Sequence, residues 1–94
     1  MGFKDIKLTV IAALRAGNYQ HEARKDINVK NLLATGQVSA SDVESILRNC
    51  TSNHLQTSPH DLDGSIDVHV VKKDGWYIKF YFIDPDTTFI SVHK

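Results

Sequence analysis

Residues able to do acid–base chemistry recur with a period of two near the C-terminus. Tyr77, Lys79 and Tyr81 alternate along one apolar stretch, Asp67 and His69 precede them, and Ser91 and His93 follow. Alternate residues of a strand share a face, so these side chains are expected on one face of an antiparallel sheet, with cross-strand neighbours about 5 Å apart. Two imidazoles, an ammonium and two phenols then share a surface, a set that suits RNA cleavage without a metal. A base must take the ribose 2′-OH proton, a cation must steady the charged phosphorane, and an acid must protonate the departing 5′ oxygen. Each proton transfer typically contributes about 10²–10⁴-fold, and charge stabilisation often contributes the most. Aromatic rings also give bases a stacking surface. The plain alternative is a solvated sheet face, which antiparallel sheets commonly expose.

The elements that must position this face are partly legible. Phe3, Ile6, Val10, Ala13 and Leu14 recur at helical spacing, predicting an amphipathic helix over 4–16 that Gly17-Asn18 ends in a left-handed cap. Residues 19–26 are polar and ambiguous, with His21, Arg24 and Lys25 expected exposed on a loop or short helix. Asn28 is expected to cap a short helix through Val29, Leu32 and Leu33, closed by Gly36. Ser41-Asp42-Val43-Glu44 has the form of a capping box, and Val43, Ile46, Leu47 and Cys50 form an apolar stripe behind it, predicting a helix over 42–50. Residues 51–65 are polar, contain Pro59 and Gly64, and read as a long loop of a kind that is often functional.

The final thirty residues predict a three-stranded meander. Lys73-Asp74-Gly75 supplies one tight turn and Asp84-Pro85-Asp86-Thr87 the other. Ile66, Val68, Val70, Trp76, Ile78, Phe80, Phe82, Ile90 and Val92 are expected on the buried face. The fold class is therefore α+β: N-terminal helices packed on a three- to four-stranded antiparallel sheet, in a single domain over 1–94.

Composition narrows the function classes. The 94 residues have zero net charge, which argues against holding nucleic acid by bulk electrostatics. Residues 1–30 carry six Lys/Arg against three acids, and residues 31–63 carry Arg48 against four, so any RNA contact should be local. No apolar run approaches the roughly 20 residues of a membrane span, and no signal peptide opens the chain, so a cytoplasmic location is expected. The single Cys50 excludes an internal disulfide, and its place on an apolar stripe reads as a small buried hydrophobe rather than a nucleophile. No Gly-rich phosphate loop, zinc-ligand spacing or serine-nucleophile motif competes. His54, His60, Asp61 and Asp63 could suggest a metal, but Gly64 comes too early for a calcium loop and the closing Glu is missing. No metal and no cofactor are expected.

Over residues 37–94 the chain resembles the MqsR family of mRNA interferase toxins, within the wider RelE-like fold. The resemblance is carried by Ser39-Ala40-Ser41-Asp42, by Ser58-Pro59-His60, by Tyr77-Ile78-Lys79 and by Phe89-Ile90-Ser91-Val92-His93. A weaker match covers the first helix and Ala16 to Asn18. It implies an endoribonuclease of a type II toxin–antitoxin pair, acting on mRNA, free or on the ribosome, and leaving a 2′,3′-cyclic phosphate. It also implies a cognate antitoxin that covers the active face. The family's tyrosine matches Tyr77, and its terminal basic residue matches His93, or Lys94 with the register shifted by one. Ser45 and Gly64 stand where the family carries a lysine and a glutamine, roles that His60 and Lys79 could take. Tyr77, Lys79 and His93 are thus expected at the centre, with His60 and His69 as further acid–base groups. Arg48, Lys72 and Tyr81 are expected to contact RNA. A fainter similarity joins His21 and Asp42-Val43 to an uncharacterised domain family that ends in such a meander. Two rivals remain: a non-nuclease toxin of the ParE kind, and an interaction or immunity-type binding module.

Overall fold

A computed structural model describes residues 2–83 and 86–94, so Asp84 and Pro85 of the expected second turn lie outside the described residues. Helix α1 (Phe3–Ala16) buries Ile6, Val10, Ile11 and Leu14, and Gly17 ends it at φ 75, in the left-handed region where a residue without Cβ is unstrained. Strand β1 (Tyr19–His21), helix α2 (Ile27–Lys30) and helix α3 (Ala40–Arg48) follow. A short 3₁₀ turn (Ser52–His54) then leads to β2 (Leu55–Pro59), β3 (Asp67–Lys73), β4 (Trp76–Ile83) and β5 (Asp86–His93).

The sheet has five strands in the order β1-β5-β4-β3-β2. β1 runs parallel to β5, and every other pair is antiparallel. The α+β expectation holds, while the expected three- to four-stranded antiparallel sheet is corrected to a five-stranded mixed one. Both additional strands are edges. Polar β1 borrows its ladder from β5, and β2 forms inside the expected 51–65 loop, where terminal Pro59 sits on the exposed edge that tolerates it. The Asp74-Gly75 turn is as expected: Lys73 pairs Trp76, and both turn residues have positive φ, as a tight type I′ connection requires.

Two helices begin elsewhere than expected. The capping box is Ser39 with Asp42, not Ser41 with Glu44: Ser39 Oγ accepts the Asp42 N–H at 3.1 Å and Asp42 Oδ2 accepts the Ser39 N–H at 3.0 Å. The same spacing two residues earlier extends the helix and frees Glu44 to bind Arg15 of α1 at 2.9 Å. Asn28 lies inside α2 rather than capping it, and the helix ends at Lys30 because Asn31 bridges to Val92 of β5.

The helices cover one face of the sheet. Val10, Leu14, Val43 and Leu47 pack there against Val71, Ile78, Phe80, Phe89 and Val92. β4 presents Trp76, Ile78, Phe80 and Phe82 to this side, as its alternation predicts. β3 is reversed: Val71 pairs Ile78 and His69 pairs Phe80, so 69 and 71 face the helices while Val68 and Val70 face away. A β-bulge at Ile90 reverses part of β5. Lys79 pairs Ser91 but Phe80 pairs Phe89, so Phe89 joins the core and Ile90 turns to the other face.

Candidate active site

The face away from the helices carries most of the expected residues. On β4 it presents Tyr77, Lys79 and Tyr81. His93 is directly opposite Tyr77, Ser91 opposite Lys79, and Lys72 of β3 flanks Tyr77 on its other side. The Tyr77 and His93 rings stack at 5.1 Å between centroids and 20° between planes. The Lys72 ammonium lies 5.8 Å from the Tyr77 centroid, within cation–π range. His93 Nδ1 bonds the Lys94 carbonyl at 3.1 Å, which fixes the ring proton on Nδ1 and leaves Nε2 open.

Two segments crossing this face close its other half. Val68, Tyr81 and Ile90 form a small apolar cluster there. Over it pass the β1–α2 connection, bearing Glu22 and Arg24, and the β2–β3 connection, bearing His60. Between them lies a cleft of about 460 Å³ lined by Glu22, Arg24, His60, Val68, Lys79 and Ile90. Glu22 Oε1 accepts the Tyr81 hydroxyl at 3.1 Å and lies 3.1 Å from His60 Nε2. His60 Nδ1 accepts the Leu62 N–H at 3.0 Å, so the ring proton sits on Nε2 and is donated to Glu22. The His60 ring meets Tyr81 edge-on at 5.2 Å. Burial, and then the Glu22 carboxylate, push the Tyr81 hydroxyl above its ordinary pKa, which keeps it a donor.

Arg24 spans the floor of the cleft. Its Nε donates to Asp26 Oδ1 at 2.9 Å, and its Nη1 donates to Ser91 Oγ at 2.7 Å and to the Ile90 carbonyl at the bulge at 3.3 Å. Ser91 is opposite Lys79 on β4, and Asp26, which also lines the cleft, pairs with the Arg24 charge. Among the described residues no cluster of three His, Cys, Asp or Glu is placed to hold a metal ion.

Comparison of the chain with family models, curated proteins and solved structures gives no match. The site must be read from its own geometry.

That geometry sorts the expected residues into three groups. Tyr77, Lys79, Tyr81, His93 and Lys72 share the open face. His60 joins them from the long connection, but with both ring nitrogens engaged. His69 and Arg48 are corrections. His69 is 4% exposed on the helix-side face, its ring against Phe80 and Phe82 and its Nδ1 2.9 Å from Thr57 Oγ1. Burial lowers its pKa, against a smaller opposing effect of Asp67. The reversed parity of β3 is the cause, because Val70 and Val71 give apolar residues on both faces and alternation cannot choose between them. Arg48 sits on α3, in the layer that packs on the opposite face of the sheet, and binds Glu44 at 3.4 Å. Sequence reasoning missed Glu22, Arg24 and Asp26. They reach the site only because β1 pairs with a strand almost seventy residues away, and no local pattern signals that.

Proposed function

We propose that this chain is a RelE/MqsR-like toxin of a type II toxin–antitoxin pair, a cytoplasmic, metal-independent mRNA endoribonuclease. The observation that supports it most is the position of Lys79. It stands on the open face between the stacked Tyr77–His93 pair and the Glu22–Tyr81–His60 cluster, and no acid pairs with it among the described residues. An unpaired ammonium flanked on both sides by proton-transfer groups meets the three demands of cleavage through the 2′-OH. The 2′ oxygen attacks phosphorus, Lys79 holds the phosphorane charge, and the 5′ oxygen departs protonated. The products are a 2′,3′-cyclic phosphate and a 5′-hydroxyl. Lys72, over the Tyr77 ring, adds a phosphate contact at the rim. The antitoxin would cover this same face.

The test is to incubate the purified chain with mRNA, free in EDTA and separately on ribosomes in magnesium buffer, and to map the new 5′ ends. Wild type should leave 5′-hydroxyl ends, and Lys79→Gln should cut about 10²–10³-fold more slowly, the usual cost of removing one group that stabilises transition-state charge. Intact RNA in both conditions, with growth arrest retained on expression, would end the nuclease reading in favour of a toxin of the ParE kind.

A further inference from the structure

We propose that Glu22 is the general base of this cleavage and His93 the opposing acid, with Lys79 between them and His60 a positioning residue. The assignment rests on the nuclease reading above and adds to it a residue that no sequence motif marks. Of the groups on the open face, few can accept a proton from a ribose. His60 cannot, because its Nδ1 accepts from Leu62 and its Nε2 donates to Glu22. Tyr81 is itself a donor to Glu22. Glu22 remains. Two donors converge on its Oε1 and fix the carboxylate, while Oε2 has no partner among the described residues, and the side chain is 31% exposed in the cleft that Lys79 also lines.

Spacing agrees with an in-line displacement. The attacking and departing oxygens lie on opposite sides of phosphorus. With hydrogen bonds of about 2.5–3.0 Å to each, base and acid must stand on the order of 9 Å apart. Along β4, Tyr77 and Tyr81 are four residues apart, roughly 13 Å at the backbone, with Lys79 at the midpoint. His93 stacks on the first and Glu22 bonds the second, so the two groups flank the lysine at a span that inward-leaning side chains can close. In the step, the O2′–P bond forms as P–O5′ breaks. His93 enters as the imidazolium, with its second proton on Nε2. The 2′-OH proton passes to Glu22 Oε2, and the 5′ oxygen takes the Nε2 proton, leaving the His93 ring neutral with its proton on Nδ1. Exchange with water restores both groups after product release.

Two substrates separate base from acid: ordinary RNA, and the same RNA with a bridging 5′ sulfur at the cut site, whose thiolate leaves without protonation. Glu22→Gln keeps the Oε1 acceptor for Tyr81 and His60, and should lose about 10²–10⁴-fold on both substrates. His93→Ala should lose a similar factor on ordinary RNA and little on the sulfur-bridged one. Binding of a 2′-deoxy analogue should be unchanged in both variants, and Glu22→Asp, which keeps a carboxylate, should outperform Glu22→Gln. Wild-type cleavage with Glu22→Gln equally fast would overturn this assignment alone. So would sulfur rescuing Glu22→Gln rather than His93→Ala. If wild type cuts neither RNA, the nuclease reading falls and takes this proposal with it.

Discussion

Acidification from about pH 7.5 to about pH 5 perturbs two histidines that this fold holds in their neutral form. His69 is buried between Phe80 and Phe82. His21 Nδ1 accepts from Asn31 Nδ2 at 3.0 Å, and that amide cannot flip because its oxygen accepts the Ala34 N–H. Burial lowers the pKa of both rings from 6.5. A base whose folded pKa lies below its unfolded one is protonated first in the unfolded chain. Its stabilising effect is therefore complete above pH 6.5, is lost as pH falls through that value, and levels off only below the folded pKa. If the folded His69 ring stayed neutral throughout, linkage gives a loss of at most about 2 kcal/mol over this range. His21, less deeply buried, should contribute less. Against a total of roughly 5–15 kcal/mol for a small domain, that loss is readily measured. Asp42, Glu44 and Asp63, held low by hydrogen bonds and ion pairs, sustain stability above their unfolded values of 3.8, 4.5 and 3.8, so they titrate below this window. Urea unfolding followed by fluorescence of the single Trp76 would measure the loss. His69→Asn and His21→Asn cannot be protonated, so each should flatten the pH dependence and the double variant should flatten it more than either. A double variant with the wild-type slope would refute this account, whatever its absolute stability.

Two further outcomes are expected. Ser39→Ala should destabilise the fold by about 1 kcal/mol, the usual cost of an N-cap, whereas Ser41→Ala, one residue inside the helix, should change little; paired urea titrations decide between the two candidate caps. Cys50 is 3% exposed, and burial pushes its thiol above the ordinary value despite nearby Lys7, so a thiol reagent should label it only as the chain unfolds.

Local signals were legible wherever one element could declare itself. The i, i+3, i+4 stripes of α1 and α3, the Gly17 cap, the Asp74-Gly75 turn and the face of β4 all follow from residues within a few positions of each other. The errors share a different origin. Ser39-x-x-Asp42 and Ser41-x-x-Glu44 are equivalent as local patterns, and what distinguishes them is that Arg15 on another helix engages Glu44. The apolar residues Val68, Val70 and Val71 satisfy either parity, and pairing of Val71 with Ile78 under the helices settles it. β1 and β2 are short, polar edge strands whose ladders are supplied by partners far away in sequence. In each case a tertiary contact selects among local options of similar free energy.

The same reasoning explains why the candidate site was only half visible. Its exposed half, Tyr77, Lys79 and His93, obeys simple alternation because β4 is central and Val92 and His93 lie beyond the bulge. Its enclosed half depends on the bulge itself. By inserting Ile90, β5 sends Phe89 into the helix-side core and still returns Ser91 and His93 to the open face. Ile90, now on the open side, needs covering with Val68 and Tyr81, and its carbonyl is available to Arg24. The two crossing segments that supply the cover bring Glu22, Arg24 and His60 with them. An apolar patch too small to bind a helix thus recruits polar loops, and the hydrogen bonds that hold those loops down are the ones that fix Glu22 in the cleft that Lys79 also lines.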